Sequence, residues 1–348
     1  MRISAFFAIA LGACGGPSAS GGDSGVNVDA AADAIVGDAG IATCARETLR
    51  PFAALDAFDV VSDGTTLYLS VRTAAGFELH AMPIAGGAAS MRVGGALSRF
   101  QLASYDAAAF YAAELTTSTT YEIHEMAGGN DTKLAELTSE EPVSLAATST
   151  DVYVLTANSN FGDSTLWRVP RSGDQPRVVT RATGGGAAGS LVLGVTKAAW
   201  LAAGLWLTDI PGPSNAAAVT GSPDPTFVGD SGFGAGSSPY GSSHTHQFRV
   251  TQFTPVQQLI LEKIITMGDG DGLFSAGGRL YFTLSSESYE MFGVFTYSLI
   301  SMAPDGTDQR SECTNATLGT RGRHDATNIY GLVRDGVGTW VVTVLAMS

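Results

Sequence analysis

Two histidines one residue apart, His244 and His246, are the metal-binding candidates of this chain. On an extended strand residues i and i+2 point to one face, so both imidazoles could ligate zinc. No third ligand is placed by the pattern. Asp224 and Asp230 could supply one, and the competing reading is a pair of surface histidines in a polar loop. The run Gly268-Asp269-Gly270-Asp271-Gly272 spaces carboxylates two apart, as calcium loops do. It lacks the bidentate glutamate such a loop needs and reads as a turn. His324 stands among Arg321, Arg323 and Arg334, a basic group that could hold an anion or neutralise an acidic rim. There is no phosphate-cradling loop, no dinucleotide fingerprint and no CxxC pair. The residues therefore assign no catalytic group, cofactor or metal, with His244 and His246 held as the metal candidates.

Gly229-Asp230-Ser231-Gly232 resembles the nucleophile motif of chymotrypsin-like serine proteases. Phe233 follows where that family has another glycine, and no histidine stands upstream in its expected context. A catalytic triad is recognised by geometry rather than by a tetrapeptide, so the resemblance carries no protease assignment. His80 and His124 each follow an aliphatic residue of a repeated motif, where Trp167 and Ile300 stand in other copies. A position open to His, Trp and Ile is structural, facing a neighbouring unit.

That repeated motif is what must position any site. The stretch Gly277–Leu284 (GGRLYFTL) joins a glycine turn to a short aromatic-bearing strand, and variants recur at Tyr68, Tyr111, Tyr153, Trp200 and Tyr330. The intervals are 43 (68 to 111), 42 (111 to 153), 47 (153 to 200) and 49 (281 to 330) residues. A second motif, aliphatic-x-x-aliphatic, begins at Leu79, Ile123, Leu166, Leu299 and Val342. Its intervals are 44, 43 and 43 residues, with one gap of 133 between 166 and 299. That gap is close to three periods. One degraded copy holds Trp200, and Gln247-Phe248-Arg249-Val250 marks the other, which makes seven units.

A period near 44 residues built of alternating strands is the size of one four-stranded propeller blade. Gly, Asp and Ser sit at the joints, as in Ser62-Asp63-Gly64 and Pro304-Asp305-Gly306, where positive φ or tight capping is needed. The expected fold is all-β, a single propeller of seven four-stranded blades, with six or eight as the neighbouring counts. A β-sandwich with coincidental spacing is the competing fold, and the regular step argues against it. Gly221–Thr245, dense in Gly, Ser and Pro, reads as a long polar loop, and 254–267 as the outer strand of unit five.

Composition excludes one class of partner. The chain is 348 residues with a formal net charge of −14 and only three lysines, Lys133, Lys197 and Lys263. Nucleic acids and anionic head groups require positive charge, so neither is an expected partner. Only 15% of residues are charged, against about a quarter in ordinary globular chains. Such a composition suits a compact β-structure with small residues at crowded centres.

Met1–Ala13 reads as a signal peptide: Arg2, an apolar run over Ile3–Leu11, then Leu11-Gly12-Ala13-Cys14. The ending resembles a bacterial lipobox, which implies that Cys14 is acylated and becomes the mature N-terminus. An ordinary cleavage after Ala13 is the alternative. Gly15 after the cysteine implies, by the same resemblance, the outer membrane. Residues 14–43 lack any aromatic and read as a flexible Gly/Ser/Ala/Asp tether, leaving 44–348 for the propeller.

With Cys14 lipidated, Cys44 and Cys313 remain, and in an oxidising compartment two such cysteines are expected to pair. Unit seven ends at Ala346, inside its third strand, so the segment around Cys44–Ala53 is expected to supply the fourth and close the ring. Two free buried thiols are the alternative.

From about Asp56 onward the repeats resemble extracytoplasmic bacterial β-propellers of the TolB-like and YWTD-like kind. The resemblance implies architecture only. Three functions stay open: a non-enzymatic binding or scaffold module for a protein or glycan partner, a metal-dependent propeller hydrolase or lyase, and an outer-membrane assembly scaffold. A monomer is expected, touching the membrane only through its lipid anchor.

Overall fold

The computed structural model describes residues 47–117, 120–138, 140–157, 163–183, 188–202, 204–219, 224–240, 242–266, 270–287, 295–314, 323–325, 327–334 and 340–346. The chain divides into two units, Met1–Ala39 and Gly40–Ser348, and every described residue lies in the second. The leader, the tether, Cys14 and Cys44 fall outside the described residues.

Seven antiparallel four-stranded sheets form a ring, a seven-bladed β-propeller. Blades one to six occupy 56–96, 101–138, 141–182, 188–219, 225–266 and 270–314, each a simple up-and-down meander. Blade seven combines Arg323–His324, Asn328–Arg334 and Trp340–Ala346 with Glu47–Phe52 as its outer strand. The register runs from Glu47 opposite Leu345 to Phe52 opposite Trp340, so the N-terminal strand closes the ring as expected. Among the described residues no helix is present.

The repeat has a packing explanation. Seven apolar clusters occur, one at each seam between neighbouring blades. The recurrent aromatics Tyr68, Tyr111, Tyr153, Trp200, Tyr281 and Tyr330 all lie on second strands and are buried in these seams. Leu79, Ile123, Leu166, Leu299 and Val342 all lie on third strands and are fully buried as well. Each blade must fill the same wedge, so large side chains return with the blade period.

Blade five corrects one expectation. The stretch 221–245 is not a long loop: Pro225–Val228 and Ser231–Tyr240 are the first two strands, and Ser242–Thr254 is the third. Its missing aromatic is Phe233, 1% exposed, on the second strand. Gly232, one of the glycines that give the segment its loop-like composition, is a packing requirement. A Cβ on Gly232 would sit 2.4 Å from the Phe253 ring. Likewise Gly270–Ala276 is the first strand of blade six, so of the proposed aspartate turn 268–272 only 268 and 269 lie outside the described residues. Gln258–Thr266 is the outer strand of blade five, in agreement with the repeat register.

Candidate functional site

First strands of successive blades touch one another around most of the circuit, so they line the centre of the ring. The turns that join first to second strands therefore surround one mouth of the central channel. A cavity of about 610 Å³ opens there, formed by turns of blades one, two, five, six and seven.

Two of these turns share one construction. In blade one, Asp63 Oδ1 accepts from the amides of Thr65 (2.9 Å) and Thr66 (2.8 Å), and Oδ2 accepts from the Tyr68 hydroxyl at 2.9 Å. In blade seven, Asp325 Oδ1 accepts from the amides of Thr327 (2.7 Å) and Asn328 (2.8 Å), and Oδ2 accepts from the Tyr330 hydroxyl. Each aspartate thus ties a channel-mouth turn to the aromatic five residues on. Burial pushes the Asp325 carboxyl up, and the bonds from Tyr330, Thr327 and Asn328 outweigh it, leaving it below the usual carboxylate range. Burial first, then the Asp63 bond, pushes the Tyr68 phenol up to about 12.

Blade two breaks the pattern. Asp106 also stands five residues before its aromatic, Tyr111, yet Tyr111 donates to Asp131 Oδ2 at 2.8 Å instead. Asp106 is exposed, holds a left-handed backbone (φ 53°) and makes no hydrogen bond among the described residues. Tyr105 beside it is 40% exposed. On the far wall His324 stacks on Phe274 (5.4 Å between ring centres), which stacks on Tyr281 at 5.3 Å. The Ser275 hydroxyl donates to the Phe227 carbonyl at 2.5 Å. The described lining carries Asp63, Asp106, Asp325 and His324 but neither lysine nor arginine.

The residues singled out in the sequence scatter. His244 and His246 lie on the third strand of blade five, at the end away from its mouth turn: His246 pairs with Pro239, whereas Thr254 pairs with Gly232 beside that turn. Only the backbone of His244 is described. Among the described residues no group of three His, Cys, Asp or Glu side chains is arranged to hold a metal. Asp230 is committed elsewhere: its oxygens accept from the Thr196 amide and hydroxyl, both at 2.7 Å, pinning blade five to blade four. Burial raises its pKa and the Thr196 and Val195 bonds more than offset that, so it stays low.

Three of the four residues of the protease-like tetrapeptide, and Phe233 after it, have turn or packing roles. Gly229 turns with φ 61°, Asp230 pins blade four, Gly232 clears Phe253 and Phe233 is the repeat aromatic. His80 and His124 each lie beside carboxylates of their own blade. His80 Nε2 lies 2.6 Å from Glu78, and His124 lies between Asp131 (2.7 Å) and Glu122 (3.0 Å) while stacking on Tyr111. The side chains of Arg321, Arg323 and Arg334 fall outside the described residues, so the basic group around His324 does too. Cys313 lies on the outer strand of blade six and is 4% exposed.

No protein-family model and no curated protein matches the chain. Similar solved structures include an oligogalacturonate lyase in complex with manganese, at 11% identity and TM-score 0.55, covering 87% of this chain and 91% of that one. The β-propeller domain of the trilobed protease from Pyrococcus furiosus matches at 12% identity and TM-score 0.55, covering 83% and 95%. YCF48 bound to D1 peptide matches at 9% identity and TM-score 0.51, covering 88% and 98%. A lyase, part of a protease and a peptide-binding protein share this scaffold, so the likeness establishes the propeller fold alone.

The sequence reading missed the mouth. The signal was there as an aspartate five residues before an aromatic, at Asp63, Asp106 and Asp325.

Proposed function

We propose that this chain is a lipid-anchored, extracytoplasmic binding module that receives a protein or glycan partner at the channel mouth. The observation that carries the reading is the convergence of five turns on one cavity, where Asp63 and Asp325 hold the fold and Asp106 stands exposed. The carboxylates of Asp63 and Asp325 hold turn amides and tyrosines, and the Ser275 hydroxyl holds a carbonyl. Such a recess offers contact area and charge rather than a nucleophile paired with a base. The metal-dependent hydrolase or lyase and the outer-membrane assembly scaffold are the competing readings.

A photo-crosslinking amino acid in place of Tyr105, in cells, tests the site. Adducts are expected at that position and absent when the probe replaces Asp174, an exposed residue on the periphery of blade three. Turnover of a glycan or lactone by the purified protein would overturn the reading.

Anchoring through Cys14 to the outer membrane, facing periplasm or exterior, is part of the proposal and rests on the lipobox resemblance. Labelling with a palmitate analogue should be lost in Cys14→Ser. Pairing of Cys44 with Cys313 is proposed as well. Cys313 packs with Leu345, whose register partner Glu47 lies three residues beyond Cys44.

A further inference from the structure

We infer that the outer strand of blade five, Gln258–Thr266, is a docking edge that adds an extended, carboxylate-bearing segment of a partner polypeptide to its sheet. The inference goes beyond the channel mouth and rests on a different surface.

Each blade ends in an outer strand with no strand beyond it among the described residues, so its outward N–H and C=O groups are open to pairing. Most of these edges are blunted. Ala217–Val219 and Arg310–Thr314 are short, and Glu47–Phe52 carries Pro51. Ser90–Ala96 holds two glycines and two register shifts, while Asn130–Thr138 and Arg177–Ala182 carry charged side chains. Gln258–Thr266 (QLILEKIIT) is nine residues long, and five of them are leucine or isoleucine. Leu259 and Ile264 stand exposed. Leu261–Thr266 pairs with Thr245–Val250 in unbroken register, so this edge is regular.

Lys263 indicates what the added strand carries. Its register partner Phe248 lies in the seam with blade six, so Lys263 faces that seam and Ile264 the other way. Lys133 pairs with Glu122 and Glu136, and Lys197 with Asp209. Lys263, the third lysine, has neither an ion pair nor a side-chain hydrogen bond among the described residues. Burial lowers its pKa, and no charged neighbour offsets the shift. An ammonium stripped of water and left unpaired is unfavourable, and a carboxylate on an adjoining strand relieves that. Opposed residues of neighbouring strands share a face. Such a strand therefore sets its carboxylate against Lys263 and its next residue, an apolar one, against Ile264. A second copy of this chain does not fit. Antiparallel self-pairing about a two-fold axis opposes residues an even number apart, so Lys263 meets Leu261, Ile265 or its own copy and never Glu262.

The test is fluorescence anisotropy of a labelled peptide of alternating valine and threonine, one central threonine replaced by glutamate, titrated with the full chain. Saturable binding is expected, with slowed amide exchange in Gln258–Thr266 and not in the outer strand Asn130–Thr138. Ile264→Lys should weaken binding about tenfold and Lys263→Met about fivefold. Leu97→Lys, at an equally exposed leucine outside any strand, should leave it unchanged. A peptide with glutamine in place of the glutamate should bind the parent and Lys263→Met equally weakly. No saturable binding, protection elsewhere in the ring, or equal affinity of the parent for the two peptides would overturn the inference. Concentration-dependent dimers of the chain alone, abolished by Ile264→Lys, would overturn the partner and make a second copy the occupant.

Discussion

The guanidinium of Arg171, in the turn after the third strand of blade three, grips the Glu125 carboxylate of blade two through Nη2 at 2.5 Å and Nε at 3.1 Å. The same group donates to the Thr148 and Ser149 carbonyls, and its central carbon lies 5.0 Å from the Phe110 ring centre. One side chain thus crosses a seam by ion pairing, hydrogen bonding and stacking together. A ring of blades holds only if each seam holds, and this seam has a polar fastening on top of its apolar core.

Arg171→Ala should destabilise the protein by about 2 kcal/mol, read from urea unfolding. The figure lies below that for a fully buried pair because the arginine side chain is 24% exposed. Arg171→Lys should recover less than half, since an ammonium can neither bind bidentately nor stack as a plane. Full recovery by lysine would show that charge alone fastens the seam.

Phe233 and Ser231 separate the repeat from the protease resemblance. Phe233→Ala removes a ring that is 1% exposed from the seam of blades five and six, at an expected cost of about 3–5 kcal/mol. Ser231→Ala should change stability by no more than about 0.5 kcal/mol. A covalent adduct of Ser231 with a fluorophosphonate probe would contradict the assignment of this segment to packing.

Acid and alkali should act on different groups. Hydrogen bonds from His80 and Thr73 lower the Glu78 carboxyl, and those from His124 and Lys133 lower Glu122. A carboxyl depressed in the fold contributes stability above its unfolded value, and that contribution is lost as pH falls through the folded one. Glu122→Gln should therefore be less stable than the parent near neutrality, with the gap narrowing below about pH 4. Tyr68 works in the opposite direction. Its phenol is raised to about 12, first by burial and then by Asp63, so its contribution is whole below about pH 10 and lost towards 12. Tyr68→Phe should flatten the alkaline limb of a melting-temperature profile, and an unchanged limb would count against the Asp63 bond.

The blades were legible because their packing is periodic. Tyr153 and Leu166 fill the seam of blades three and four as Tyr68 and Leu79 fill that of blades one and two, so burial imposes a visible spacing. Phe233 was hidden because Gly232, which makes room for Phe253, stands in a glycine-rich stretch that looks like a loop. The mouth was hidden more deeply. Asp63 and Asp325 are 262 positions apart in the chain (63 to 325) and meet at one rim only because the ring closes. Turn aspartates announce local capping, and nothing in their spacing says which of them converge.

Cys313 gives the closure its sharpest test. The cysteine lies on the outer strand of blade six and packs with Ile329 and Leu345 of blade seven, next to where the closing strand begins. The proposed bond to Cys44 would anchor the chain three residues before Glu47, holding Glu47–Phe52 against its neighbour Trp340–Ala346. A loop spanning nearly the whole ring should contribute about 5 kcal/mol in the chain-entropy model. Peptide mapping without reductant should recover Cys44 joined to Cys313 and leave Cys14 free for acylation. Cys313→Ser should then lower the unfolding midpoint and speed amide exchange in Glu47–Phe52 more than in the second strand of blade three. Uniform acceleration across all blades would show that the bond stabilises the ring as a whole and does not act as a local latch.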